Sequence, residues 1–158
     1  MDPHELTAIE TILTQVFDTI ASDADIEYYC QLKYTKSPKI FLGIDEDNPP
    51  SASDYPVIVI FSISRSARGE SNKWVDYDVV IGVGVINQTK NEDGNKISLP
   101  GLLEAEHLRE LVETALFGKI AHKTDVSAET YSDIIFPLFR SDTKIRLSFL
   151  QTSRTSTL

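Results

Sequence analysis

The sequence predicts an α+β fold, a mostly antiparallel sheet of about five to six strands with two amphipathic helices packed on it. Two observations carry this. Apolar residues recur at helical spacing in Pro3–Ile20 and again in Leu102–Ile120, and between them they alternate in strand fashion, most clearly in Trp74–Ile86. A third supports it: the order helix, block of strands, helix, pair of strands favours antiparallel pairing over βαβ crossovers. With 158 residues, 41% hydrophobic and 25% charged, the chain is long and apolar enough to fold around one core without disulfides or metals. Residues 1–150 read as one domain and 151–158 as a disordered C-terminal tail.

Pro3–Ile20 places Leu6, Ile9, Leu13, Val16, Phe17 and Ile20 on one face. Asp2 suits the cap, Pro3 the first turn, and Glu5 the positive end of the dipole. After the break at Ser22–Asp25, the residues Ile26, Tyr28, Cys30, Leu32 and Tyr34 alternate with polar neighbours and predict a half-buried strand. Lys39–Ile44 reads as a further short strand. Asp45–Pro56, polar and proline-bearing, reads as a surface loop.

Pro56–Ser64 and Trp74–Ile86 are then two apolar strands held apart by a charged loop, SRSARGESNK. In the longer strand Val75, Tyr77, Val79, Ile81, Val83 and Val85 share the core face. The opposite face starts with Asp76 and Asp78, expected to point to solvent, and ends on Gly82 and Gly84. Glycines there imply close approach by another element, first of all a helix crossing the sheet, and otherwise another subunit. Asn87–Asn95 reads as a second loop. Leu102–Ile120 presents Leu108, Leu111, Val112, Ala115, Leu116 and Ile120 on one side, with Glu104, Arg109, Glu110 and Glu113 on the other. Asp133–Leu150 closes the domain as a hairpin turning at Arg140–Thr143.

The net charge is −9, and seven carboxylates precede the first basic residue, Lys33. That field opposes binding to nucleic-acid phosphates. Met1–Glu10 is too acidic for a signal segment and no apolar run reaches a membrane span, so the expectation is a cytoplasmic, membrane-free protein. A single cysteine, Cys30, agrees with a reducing compartment and is expected to be buried and inert.

Catalytic and cofactor signals are incomplete. GVG at Gly82–Gly84 lacks the third glycine of a dinucleotide fingerprint, since Asn87 stands there, and lies within a strand. Asp45, Glu46 and Asp47 resemble a cation loop, but Pro50 and Pro56 occupy the positions an EF-hand reserves for glycine and glutamate. Glu104 and His107 form ExxH without a second copy, and His4 and His122 are isolated. No enzyme activity and no cofactor are expected. The candidate site is a partner-binding surface: the basic stretch Arg65, Arg68 and Lys73, complementary to the acidic Asp45, Glu46 and Asp47.

An opening amphipathic helix, a surface loop ending in YPVIVI, a charged loop, the strand YDVVIGVGVI, the helix LLEAEHLRELVETALF and a closing KIRLSFL together resemble the tail terminator proteins of long-tailed bacteriophages, across roughly Leu6 to Leu150. The resemblance implies a homo-oligomeric ring, hexameric, that stops tail-tube polymerisation and joins the tail tube protein to the head connector protein. It also implies assembly in the host cytoplasm into the virion, with no sequence-specific nucleic-acid binding. An acidic channel would then let DNA slide without sticking. Other phage neck or head–tail connector rings share the size and mixed fold. A small soluble ligand-binding domain is the alternative of a different class.

Overall fold

A computed structural model describes residues 8–70, 74–120 and 126–150. The proposed capping residues Asp2, Pro3 and Glu5, together with His4, His122, Lys73 and the tail 151–158, lie outside that set.

Helix α1 (Ala8–Ala21) buries Ile12, Val16 and Ile20 at one-turn spacing, with Ile9, Leu13 and Phe17 at the margins. The next segment corrects the sequence expectation. Ala24–Tyr34 is a helix, α2, where alternation predicted a strand. Asp23 caps it, its carboxylate accepting from the Ile26 amide at 2.9 Å, and Thr35 closes it in a left-handed conformation (φ 56°). The buried residues Ile26, Tyr29 and Cys30 sit at i, i+3 and i+4, whereas Tyr28 and Leu32, inward in the strand reading, are 69% and 64% exposed. Helix capping decided between two periods that this short window carries almost equally.

Strand β1 (Lys39–Leu42) runs parallel to β2 (Val57–Arg68), and β2 pairs antiparallel with β3 (Trp74–Ile86). Helix α3 (Pro100–Lys119) follows a small hairpin of β4 (Asn91–Asp93) and β5 (Lys96–Ser98), which replaces part of the expected loop Asn87–Asn95. Strands β6 (Val126–Ile135) and β7 (Leu138–Leu150) complete a five-stranded sheet of order β1-β2-β3-β7-β6. The fold is α+β, mixed only in its β1 edge.

The final hairpin reverses at Phe136–Pro137 and not at Arg140–Thr143, which lies within β7. The polar run looked like a turn because it is polar on both faces. On the helix side Ser141 and Thr143 bond Arg109 and Glu113, and on the outer side Arg140 pairs with Asp142.

The helices share one core with Val75, Tyr77, Val79, Ile81, Val83 and Val85 of β3, the face expected from alternation. Phe139 of β7 packs against Gly101 in the first turn of α3, where a Cβ would collide with its ring. The expected helix over Gly82 and Gly84 is not what fills that space. Side chains do: a Cβ on Gly82 would meet the Asp142 carboxylate at 2.5 Å and the Phe61 ring at 2.6 Å, and one on Gly84 the Tyr55 ring at 2.8 Å.

Candidate partner-binding surface

Strand β2 divides at Phe61. From Val57 to Ile60 it is hydrogen-bonded on both sides, to β1 and to β3, and every residue is buried. Gly43, in the left-handed region at φ 84°, donates its amide to the Ile60 carbonyl at 2.8 Å and turns the chain off the edge. At the same level the β2–β3 register shifts between Ile60 and Ser62, leaving Phe61 as a bulge. Beyond it, β3 is the only described partner of β2, and its residues are exposed except half-buried Ile63.

Arg65 and Arg68 therefore lie on a strand, and the loop expected at Ser64–Lys73 is shorter than its charge pattern implies. Strand hydrogen bonding to β3 carries Ser64–Arg68, opposite Trp74–Asp78. The bulge shifts the alternation so that Arg65 follows the helix-side phase and Arg68 the outer phase. Arg68 is engaged within the chain: its Nε donates to Asp76 Oδ2 at 2.8 Å and its guanidinium lies 5.2 Å from the Trp74 ring centre. Arg65 is exposed and makes no ion pair among the described residues.

Asp76 and Asp78 are not simply solvated. Asp76 is 4% exposed and accepts from Arg68 and from Ser148 Oγ at 2.6 Å. Burial pushes its pKa upward, but those hydrogen bonds and the nearby positive charge outweigh burial and hold it below the usual carboxylate range. Asp78 is bound in bidentate fashion by Arg146, at 2.8 and 3.0 Å, with Lys144 at 4.0 Å; Arg146's hydrogen bonds are the main cause of its lowered pKa. The outer face of the ribbon is thus charged but internally neutralised.

The acidic loop leaves the end of β1 level with Ile60, roughly 26 Å along β2 from Arg68, and returns to the start of β2. Asp45, Glu46 and Asp47 are all exposed. Asp45 accepts from Asn48 Nδ2 and from the Asp47 amide, both at 3.0 Å, and these bonds lower its pKa. The rest of the loop is pinned: Lys39 pairs with Asp54 and Lys36 donates to the Ser53 carbonyl, each at 2.5 Å. Within one copy, the structure does not bring the basic and acidic groups together.

This loop also roofs a hollow of about 180 Å³ floored by Gly82 and Gly84 and walled by Pro49, Pro50, Tyr55 and Phe61. Beside it Asp142 is 5% exposed. Its Oδ2 accepts from Arg140 at 3.0 Å, while Oδ1, which with the Phe61 ring occupies the space over Gly82, has no hydrogen-bond partner among the described residues. A wider depression, about 420 Å³, lies between the α1–α2 turn and β1, where Glu27 accepts from Ser37 at 2.6 Å and from Gln31 at 3.0 Å.

One polar cluster escaped the sequence reading. Arg109 and Glu113, expected on the exposed side of α3, are 8% and 9% exposed at its junction with β7. They pair with each other; Arg109 Nε also donates to Ser141 Oγ at 3.0 Å, and Thr143 Oγ1 donates to Glu113 Oε2 at 2.9 Å. Glu106 completes the cage from the same helix, 2.9 Å from Arg109 Nη2. The Arg–x3–Glu spacing was the only available signal, and it is common on solvated helix faces.

Glu104 and His107 are occupied structurally. Glu104 accepts from Tyr34 Oη at 2.8 Å and Asn87 Nδ2 at 2.7 Å, and His107 lies 4.6 Å from the Tyr29 ring. Burial is the first cause pushing Tyr34 upward, with its bond to Glu104 next, and burial lifts the Cys30 thiol to about 12. No group of three or more His, Cys, Asp or Glu among the described residues is placed to hold a metal ion. No described helix is long and apolar enough to cross a membrane. No protein-family model matches the sequence, and no curated protein matches it.

Proposed function

We propose that this chain is a structural subunit of a bacteriophage tail that assembles into a hexameric ring, caps the tail tube and joins it to the head connector. The observation that carries the reading is the far half of β2, a strand with one hydrogen-bonding edge unoccupied among the described residues and with exposed Arg65 on it. A lone monomer gains nothing from such an edge, which is a template for pairing with another chain. The charged but mutually neutralised outer face and the −9 net charge suit a subunit that meets protein while repelling the phosphates of passing DNA. Of the two expected contact surfaces, the basic one offers Arg65, and the acidic one offers exposed Asp45, Glu46 and Asp47 on a loop whose later part is tied to Lys36 and Lys39.

The ligand-binding alternative finds weaker support. The glycine-floored hollow, at about 180 Å³, falls below the range of roughly 300–1,000 Å³ usual for small-molecule sites. In the wider depression, Glu27 is already satisfied by Gln31 and Ser37.

The test adds purified protein to polymerising tail-tube protein encoded in the same genome and measures tube length by electron microscopy. The reading predicts shortened tubes carrying a ring at one end. Tubes of unchanged length, with rings bound instead to the connector, would assign the chain to another neck position. Neither ring nor binding to either partner would remove the phage reading.

A further inference from the structure

We propose that neighbouring copies join edge to edge, the far half of β2 in one copy pairing antiparallel with β6 of the next; this rests on the ring reading. Four observations converge on the second copy as the occupant of the open edge. The first is availability. Strand β6 ends the sheet, with β7 as its only described neighbour, while β2 loses β1 after Ile60. The chain leaving β1 turns at Gly43 and lies over the outer sheet face, where Ile44, Pro49 and Pro50 border the hollow, so it does not fill the β2 edge.

The second is direction. Strands β2, β3, β7 and β6 are successively antiparallel, so β6 runs opposite to β2. In a ring whose axis lies along the strands, every copy keeps its strand direction. The β6 of one copy then meets the β2 of the next antiparallel, continuing the pattern of the sheet. The third is length, since the stretch from the bulge to Arg68 fits within the 10 residues of β6.

The fourth is charge. The far half of β2 carries Arg65 and Arg68 and no acid, whereas β6 carries Glu129 and Asp133 and no base; Arg68 shares the outer register with the two acids, and Arg65 lies on the helix-side register. Edges protected against self-association carry charges that repel a second copy. These two edges carry opposite charge in sequence, and because they differ, the contact is head-to-tail and is saturated only by closing a ring.

Disulfide trapping tests the proposal. Ser62, Ser64 and Ser66 share the outer register of β2, and on β6 Ser127 and Tyr131 occupy the register positions opposite Arg146 and Asp142. Each of Ser62→Cys, Ser64→Cys and Ser66→Cys is combined with Ser127→Cys or Tyr131→Cys, which scans the register between copies. Within one copy the two strands are three inter-strand steps apart, roughly 14 Å, too far for a disulfide, which needs Cα atoms within about 7 Å. Any bond is therefore between copies. The expected result is a ladder of covalent oligomers on a non-reducing gel, ending at the ring, for the one or two pairs in register. Rings by electron microscopy with no pair cross-linking would overturn the edge pairing and leave the ring reading intact. Absence of rings in the unsubstituted protein would overturn both.

Discussion

The two halves of β2 are built from similar strand-forming residues yet have opposite fates. Val57–Ile60 is paired on both sides and buried, Ile58 and Ile60 under the helices and Val57 and Val59 at the outer hollow; the stretch after Phe61 is paired on one side among the described residues and is exposed apart from half-buried Ile63. The bulge and the departure of β1 at Gly43 fall at the same level, so one short region ends both burial and pairing. The near half is spent on stability, and the far half is left for association. Alternation alone does not distinguish them, because both satisfy the same strand pattern.

Substitutions graded along the strand test this division. Ile58→Ala, in the near half at 0% exposed, is expected to cost about 2–5 kcal/mol by deleting packed methylenes and leaving a cavity. Urea unfolding would measure it; a loss below about 1 kcal/mol would mean the near half is not core. Arg68→Ala belongs to the far half but removes the charged partner of buried Asp76, so a loss of about 1–3 kcal/mol is expected. Its magnitude separates Arg68 from Arg65, and equal, negligible losses at both would contradict the buried ion pair.

Acid provides a smaller effect at the same place. Asp76 and Asp78 are held below the ordinary carboxylate value of about 3.9 by Arg68, Arg146 and Lys144. A depressed folded-state pKa contributes stability that is complete above the unfolded value and is lost as pH falls through the folded one. Thermal melting should therefore show no pH dependence from these groups between pH 7 and 5, and a progressive loss below about pH 4 that Asp76→Asn attenuates. An unchanged acid limb in Asp76→Asn would contradict the assignment. Arg65→Glu is expected to have the smallest effect on folding, within about 0.5 kcal/mol, because its exposed head makes no described ion pair.

How far the sequence could be read followed physical scale. Long, repeated periods were legible: α1, α3, the core face of β3 and the class of fold. The α2 segment was not, because Ile26, Tyr29 and Cys30 fit a helix while Ile26, Cys30 and Tyr34 also fit an alternating strand, and the local Asp23 cap on the Ile26 amide that favours the helix is masked by that alternation. Arg140–Thr143 misled for a related reason. Polar residues on a buried strand look like a turn until Arg109 and Glu113 arrive from a helix thirty residues away in sequence. At the candidate site, the residue types of the basic surface were visible, but the bulge that places Arg65 on an open strand edge and commits Arg68 to Asp76 was not.

The division of β2 meets its most direct test in the assembly state of Arg65→Glu beside the unsubstituted protein, followed by sedimentation velocity across micromolar concentrations at low and physiological salt. The account predicts closed rings for the unsubstituted chain, weakening as salt rises, and folded monomers for the variant with an unchanged melting profile. A variant that forms rings as readily as the unsubstituted protein, or an unsubstituted chain that remains monomeric at every concentration, would contradict it.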